Sequence, residues 1–198
     1  SDQYNAIQDG LDGYTTLGTT EGSYDYISFK LGKWNAETGK NEFDPDSKMN
    51  NLNLRQAMAY ALNLDEVGER FYDGIRYRAT SHIAPVFGAY VNEDIEGYPY
   101  DPEKAEELLD DAGYEDVDGD GYREDPNGEE LVINYMARAN SDAAEPIAKY
   151  YIQAWKAVGL NVQLVDGRLH EANTFYDRVQ ADDPKIDIHE GGWSVGSD

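Results

Sequence analysis

The chain has 198 residues, no cysteine and a formal charge of −24, from 16 Lys and Arg against 40 Asp and Glu. A field this negative repels phosphate backbones and anionic membrane surfaces, which argues against nucleic acid as a partner. The lack of cysteine excludes a disulfide framework and a thiol nucleophile. With 40% hydrophobic residues, the length suffices for one domain with its own core or for one lobe of a larger protein.

The chain begins with a polar stretch followed by one predicted strand. Residues 1–22 are rich in glycine and have a weak pattern, whereas residues 23–32 alternate between polar and apolar side chains as a strand does. Residues 35–51 are rich in Asn, Asp, Gly and Pro. This composition is typical of a loop.

Two helices are predicted next, each from the spacing of a capping box. Asn53 and Gln56 have this spacing at the start of the first helix, and Asn63 and Glu66 repeat it at the start of the second. Gly74 is the predicted end of the second helix. Residues 75–100 then contain Pro, Gly and Tyr without a regular period, and they are expected to be irregular.

The second half of the chain alternates helices and strands. Asp101, followed by Pro102, is predicted to cap a helix that closes near residue 113. Asp142 and Glu145 are spaced as the start of a longer helix. The remaining predicted elements are strands over 130–137, 160–166 and 185–193 and a helix over 168–182. This order predicts a mixed α/β fold.

The segment DVDGDGYRED at residues 116–125 resembles the opening of a calcium loop. Calcium takes six to eight oxygen ligands, and this spacing of Asp and Gly makes three carboxylates converge. The predicted ligands are Asp116, Asp118, Asp120, Tyr122 and Glu124. An EF-hand has a bidentate Glu at its twelfth position, where this chain has Asn127. Either the loop holds calcium weakly, with a Kd of about 10⁻⁴–10⁻³ M, or it is a tight turn before a strand.

Sequence motifs for catalysis are not found. The chain has no G-x-S-x-G, P-loop or G-x-G-x-x-G motif, and its three histidines are too far apart in sequence for a helical zinc motif. We expect His82, His170 and His189 to be surface or half-buried residues. With 40 acidic residues, pairs of carboxylates give no information about glycoside hydrolysis. No cofactor other than calcium is expected.

The segment GGWSVGSD, residues 191–198, begins with the last three residues of the final predicted strand. A strand that ends in Gly-Gly-Trp places a large flat ring at a sheet edge, with exposed backbone beside it. Such an arrangement suits the wall of a binding cleft. The alternative is that Trp193 fills the core, but the two glycines favour the cleft.

Five segments of the chain form an ordered set. They are LNLRQAMAYALNLDEV (52–67), YPYDPEKAEELLDDAGY (98–114), DGDGYREDPNGEEL (118–131), AWKAVGLNVQL (154–164) and DIHEGGW (187–193). In this order they resemble the oligopeptide-binding proteins of ABC importers, which are extracytoplasmic solute-binding proteins of family five. The resemblance covers residues 23–198.

The resemblance implies an α/β fold of the type II periplasmic-binding-protein class, with a mixed sheet flanked by helices. Two lobes of such a protein close on a peptide. Residues 1–198 then form a single lobe, which is most of the second, peptide-binding lobe. Residues 1–22 become an inter-lobe or irregular segment, and the first lobe and the C-terminal part of the family lie outside this chain.

Ligand contacts are also implied by the resemblance. Family members hold the peptide as an extended strand, and the Trp of their cleft strand corresponds to Trp193. The strand YDYISFK matches a family segment in part, which makes Tyr26 and Phe29 candidate ligand contacts. In some members an Asp three residues beyond the Trp pairs with the peptide amino terminus. That position is Gly196 here, so Asp198 is the candidate for this role.

The implied function is the substrate-binding component of a peptide importer, without catalysis. Its partners would be an oligopeptide and a membrane permease. It would act outside the cytoplasm, as a cell-surface lipoprotein or in the periplasm, and meet the membrane only through a lipid anchor outside this chain. The alternatives are a family-five binder of nickel, heme or an oligosaccharide, a calcium-stabilised adhesion or scaffold module, and an acid-rich carbohydrate enzyme.

Overall fold

The computed structural model describes residues 7, 10, 12–15 and 17–195. The chain divides into two compact units. The first unit is built from three segments and the second from two: residues 1–25, 63–99 and 192–198, and residues 26–62 and 100–191. The assignment of the whole chain to one lobe stays a prediction.

Within the described ranges the chain forms six strands and five α-helices. The strands are β1 (Ser23–Phe29), β2 (Gly32–Asn35), β3 (Lys40–Phe43), β4 (Val132–Met136), β5 (Asn161–Leu164) and β6 (Ile188–Ser194). The helices are α1 (Leu52–Tyr60), α2 (Leu64–Tyr72), α3 (Pro102–Asp111), α4 (Ala144–Ala157) and α5 (Ala172–Gln180). Short 3₁₀ turns occupy Lys48–Asn50, Pro85–Tyr90 and Val165–Gly167. None of the helices in these ranges is long and apolar enough to cross a membrane.

The main sheet has the strand order β1-β6-β4-β5. Strand β4 is parallel to both of its neighbours, β5 and β6. Strand β1 is antiparallel to β6, because Lys30 donates a backbone hydrogen bond of 2.9 Å to Asp187 and Val195 donates one of 2.8 Å to Gly22. The sheet is therefore mixed and alternates with helices, which confirms the predicted α/β class.

The core of the second unit is organised around helix α4. Its Trp155 is 1% exposed, and the indole Nε1 donates a hydrogen bond of 2.9 Å to the carbonyl oxygen of Met58 in α1. This ring also forms a T-shaped contact with Tyr135 of β4, with 5.8 Å between the ring centroids. Ile147 and Val158, which share the predicted apolar face of the helix, are buried as well. Helix α4 thus connects α1 to the sheet.

A second apolar cluster lies beside the sheet and contains Met136, Val165, Phe175 and Ile186. His170 is buried too, and its Nε2 lies 3.0 Å from the carbonyl oxygen of Val165. The expectation of a surface or half-buried residue was therefore wrong for His170. The bond to a backbone carbonyl explains how a polar ring is accommodated there.

The predicted loop over 35–51 contains a strand. Strand β3 pairs antiparallel with β2, with Trp34 opposite Asn41. All four residues of β3 are exposed. A strand with no buried face lacks the alternation on which its prediction from sequence depends.

The predictions of Asn53 and Asp142 as helix caps were wrong. Helix α1 is capped by Asn51, whose side-chain oxygen accepts the backbone N–H of Asn53 at 2.9 Å. Asn53 lies inside the helix, and its side-chain nitrogen donates to Leu108 at 3.2 Å. Helix α4 begins at Ala144 without a side-chain cap, so Asp142 does not have its predicted role.

The other two caps are confirmed. The side-chain oxygen of Asn63 accepts the N–H of Glu66 at 3.1 Å, and that of Asp101 accepts the N–H of Lys104 at 2.9 Å. Local capping spacing therefore predicts these helix starts, whereas the cap of α1 is Asn51, two residues before the predicted Asn53.

Candidate ligand-binding site

The carboxyl end of β4 lies beside the start of β6, because these neighbouring strands are parallel and Tyr135 and Met136 pair with Ile188 and His189. Ligands of open α/β sheets bind outside the carboxyl ends of the strands. The last paired residues are Met136 of β4 and His189 of β6. Arg138 lies two residues after Met136 and Glu190 directly follows His189, so both side chains start near the carboxyl end of β4.

Glu190 joins the two strands at this edge. Its Oε1 accepts a hydrogen bond of 3.1 Å from the hydroxyl of Tyr135 and one of 3.2 Å from the backbone N–H of Arg138. Its Oε2 lies 3.9 Å from Nε of Arg138, which is within ion-pair distance but too long for a hydrogen bond. The side chains of Arg138 and Glu190 are only 17% and 23% exposed.

The guanidinium group of Arg138 is held by helix α5. Its Nη1 donates to the hydroxyl of Tyr176 at 2.7 Å. Its Cζ lies 5.4 Å from the ring centroid of Phe175 and 5.7 Å from that of Tyr176. Its Nε is buried, and no acceptor lies within hydrogen-bond distance of it among the described residues. We call Tyr135, Arg138, Tyr176 and Glu190 the carboxyl-edge cluster.

The sequence does not reveal the carboxyl-edge cluster. Its closest hydrogen-bonded pair, Arg138 and Tyr176, is separated by 38 positions, and Tyr135 and Glu190 are separated by 55. No spacing rule applies over such distances. The available signal was the position of Arg138 just after the predicted strand over 130–137 of a mixed α/β fold.

The two glycines before Trp193 serve the packing of neighbouring strands. In the second unit, a Cβ atom on Gly191 would lie 2.3 Å from Cζ of Tyr26. In the first unit, a Cβ atom on Gly192 would lie 2.7 Å from a carboxylate oxygen of Asp25. Strand β6 is an inner strand of the sheet. Trp193 therefore does not lie on an edge strand, although Gly192 beside it is exposed as expected. Both glycines also make room for side chains of β1.

The predicted ligand contacts that the structure describes are divided between the two units. Trp193, in the first unit, is 61% exposed, so it does not fill the core. Tyr26, in the second unit, is 39% exposed, and Phe29 is half-buried. Asp198 lies outside the described residues. The roles of these four residues in ligand binding stay predictions.

Asp25 of the first unit is already engaged with a cation. Its carboxylate forms an ion pair with Arg76, and the guanidinium group of Arg76 stacks on the ring of Tyr72 at 4.2 Å. The side chains of Asp25 and Arg76 are 62% and 53% exposed. An exposed pair of this kind contributes little to stability, about 0–1 kcal/mol, but it neutralises the acid beside Gly192.

The acidic loop brings three predicted metal ligands together. One carboxylate oxygen from each of Asp116, Asp118 and Asp120 lies within 4.8 Å of the others, and all three residues are exposed. Oxygens on opposite sides of a calcium ion are separated by roughly this distance, since Ca–O bonds are about 2.4 Å long. Backbone N–H groups hold the carboxylates in place: Gly119 donates to Asp116 at 2.7 Å, and Tyr122 donates to Asp120 at 2.8 Å.

The other two predicted calcium ligands lie in the same turn. Glu124 uses its Oε2 to accept the N–H of Val117 at 2.7 Å. The ring of Tyr122 lies under Lys156, with 5.4 Å from Nζ to the ring centroid. The loop is thus also a self-consistent tight turn, which was the alternative from the sequence. Occupancy by calcium stays a prediction.

Comparisons with known proteins identify relatives of this chain. The profile of the bacterial extracellular solute-binding proteins, family 5 middle, matches residues 2–198. The oligopeptide-binding protein OppA of Lactococcus lactis subsp. lactis is 36% identical over 203 residues, which is 100% of this chain and 33% of that protein. The OppA protein of Lactococcus lactis subsp. cremoris strain SK11 is similar to the same extent.

A solved structure supports the same placement. Lactococcal OppA, complexed with an endogenous peptide in the closed conformation, superposes with a TM-score of 0.87 and 35% sequence identity, over 98% of this chain and 36% of that chain. The chain spans about a third of the length of the curated relatives that it matches.

Proposed function

Since this chain belongs to the bacterial extracellular solute-binding proteins of family 5, we propose that it forms part of the substrate-binding component of a peptide ABC importer. The observation that carries this proposal is similarity along the whole chain to oligopeptide-binding proteins, together with the match to a peptide-bound structure. The family is extracytoplasmic. We further propose attachment to the cell surface by a lipid anchor outside this chain and recognition by a membrane permease.

The proposed mechanism is capture followed by closure. The open protein admits an oligopeptide as an extended strand, whose backbone hydrogen bonds are independent of its side chains. Contacts from both lobes then stabilise the closed form, which the permease recognises. Trp193 supports this role because it presents a large, exposed aromatic surface in the first unit. The relatives are binding proteins, and we propose that this protein turns over no substrate.

Thermal unfolding tests the proposal. The full-length polypeptide is expected to melt at a higher temperature in the presence of short peptides, since a ligand that binds only the folded state stabilises it. Trp193→Ala is expected to reduce this shift. Trp34→Ala is the matched control, because Trp34 is also exposed, at 53%, but lies on the hairpin of β2 and β3. No shift with any member of a diverse peptide library would contradict the proposal.

A further inference from the structure

The outer edge of strand β3 is exposed, and within the described ranges no strand other than β2 pairs with β3. We propose that this edge associates with the same edge of a second copy of the chain, so that two β2–β3 hairpins form one continuous sheet. A second copy fits this edge because the backbone groups and the charges of β3 are complementary to themselves. The inference goes beyond peptide binding and does not depend on it.

The backbone of β3 offers hydrogen bonds on its outer side. Pairs in an antiparallel ladder alternate between those that exchange hydrogen bonds and those whose N–H and C=O groups point outward. Asp44 donates to Leu31 at 3.0 Å, so three positions along the ladder the pair of Trp34 and Asn41 is of the outward kind. The N–H of Trp34 agrees with this, because it donates to a side-chain carboxylate of another segment at 3.0 Å. The N–H and C=O groups of Asn41 and Phe43 therefore point away from β2.

The hairpin is held to the end of helix α5. Asp182 accepts the N–H of Trp34 and forms an ion pair of 2.6 Å with Lys30. Lys30 also donates to the carbonyl oxygens of Asp182 and Asp183, at 3.3 and 3.1 Å. A strand that is already ordered loses little entropy when a partner binds. The outer edge of β3 is therefore pre-organised for pairing.

The charges of β3 select one register. When Asn41 lies opposite Asn41 of the second copy, Lys40 of each copy faces Glu42 of the other. Opposite charges directly across two strands stabilise the pair, and like charges destabilise it. A register centred on Lys40 or Glu42 places that residue opposite its own copy, and one centred on Phe43 places Glu42 opposite Asp44. Of the symmetric registers centred on a residue of β3, the one at Asn41 alone avoids a like-charge pair.

This register also suits the side chains beside the charges. It places Phe43, which is 64% exposed, opposite Gly39 of the second copy. A Cβ atom on Gly39 would meet nothing within 4 Å, so the space above this glycine is open. An aromatic side chain opposite a glycine covers its backbone and stabilises the strand pair. A lysine on an edge strand normally discourages pairing, but here each Lys40 meets Glu42.

The expected dimer is weak. Strand β3 has four residues, whereas stable interfaces bury about 1,200–2,000 Å² in total. The net charge of −24 on each copy also opposes association, although it is screened beyond about 8 Å at physiological salt. We expect a Kd of about 10⁻⁵–10⁻⁴ M at this salt concentration.

Sedimentation equilibrium of the full-length polypeptide at physiological salt tests the proposal. At concentrations of about 10–300 µM, which span the expected Kd, the unaltered protein should show a reversible equilibrium between monomer and dimer. Asn41→Pro should abolish the dimer, because proline lacks the outward N–H group. The hairpin itself should tolerate this change, since proline is accepted on an edge strand where the N–H faces solvent.

Exchange of the two charges tests the register. Lys40→Glu and Glu42→Lys each create like-charge pairs across the ladder, so each should weaken association by about 10-fold or more. An equimolar mixture of these two variants should form a heterodimer about as strongly as the unaltered protein associates. The double variant, with both charges exchanged, should again form a homodimer. Both recoveries would also show that the hairpin still folds in the variants.

Glu106→Lys is the matched control, because it makes the same change in net charge at an exposed position of α3. It should not weaken association. If Glu42→Lys and Glu106→Lys have equal effects, net charge controls association and the inference is overturned. The inference is also overturned if the unaltered protein is a monomer throughout, if Asn41→Pro leaves a dimer intact, or if the mixture of charge variants forms no heterodimer.

Discussion

Two polar sites of the second unit are built in opposite ways. In the acidic loop, the carboxylates of residues 116–120 accept backbone N–H groups two to five positions away, and every one of these Asp residues is exposed. In the carboxyl-edge cluster, Arg138 and Glu190 are mostly buried and meet across 52 positions of sequence. The loop is readable as a motif, whereas the cluster exists only when the sheet has formed.

The geometry of the carboxyl-edge cluster depends on the whole fold, whereas that of the acidic loop does not. A local loop keeps its shape through its own hydrogen bonds, so it responds little to changes elsewhere. The carboxyl-edge cluster depends on neighbouring strands and on α5, so we expect it to keep its geometry only while the core is intact. Variants of the core, the strand contacts and the local turns are therefore expected to have effects of decreasing size.

The largest effect is expected from Trp155→Ala. Trp155 is 1% exposed and packs on Tyr135, which in turn holds Glu190. Loss of this buried ring should lower the free energy of unfolding by about 3–5 kcal/mol in urea titrations. Trp34→Ala, at an exposed position, is the control and should change it by less than about 0.5 kcal/mol. Equal effects of the two substitutions would contradict this account of the core.

A smaller effect is expected from Gly191→Ala. The added methyl group would lie 2.3 Å from the ring of Tyr26, so strand β1 or the ring must move. The cost should be about 1–3 kcal/mol in the same measurement, without any ligand. Gly18→Ala is the control, since a Cβ atom there meets nothing within 4 Å. An unchanged free energy of unfolding for Gly191→Ala would show that the glycine is not needed for strand packing.

An effect of intermediate size is expected at Asp183. Its carboxylate accepts a hydrogen bond within a local turn and also forms an ion pair with Arg178. The N–H of Lys185 and the guanidinium group of Arg178, 2.6 Å away, hold the pKa of Asp183 below its usual value. The carboxylate therefore stabilises the fold above the unfolded pKa of about 3.9, and this contribution is lost as pH falls through the folded pKa.

Asp183→Asn should lower stability near pH 7 by about 1 kcal/mol, since the ion pair is partly exposed. The difference from the unaltered protein should shrink as the pH is lowered through the acid range. Asp142→Asn, at a position that does not cap α4, is the control and should leave the free energy of unfolding near pH 7 unchanged. If Asp183→Asn lowers the free energy of unfolding at low pH as much as at pH 7, the ionised carboxylate of Asp183 is not the source of the stabilisation.

Calcium at the acidic loop is expected to have the smallest effect. With a Kd of about 10⁻⁴–10⁻³ M, calcium at three times Kd should add about 0.8 kcal/mol to stability. Asp118→Asn should abolish this gain without changing peptide affinity. Calorimetry that detects no heat at millimolar calcium would leave the loop as a tight turn only.

The sequence predicts those parts of the fold that depend on local pattern. Caps at Asn63 and Asp101 and the strands of the main sheet follow from spacing and alternation. Strand β3 does not, because it has no buried face. The acidic loop is contiguous and was found, whereas Arg138 and Glu190 come together only through the parallel pairing of β4 and β6.

Mass spectrometry of the solutes that co-purify with the full-length polypeptide shows whether the protein captures peptides. Gentle purification followed by denaturation should release a mixture of short peptides. Recovery of a nickel complex, heme or an oligosaccharide in place of peptides would contradict the account.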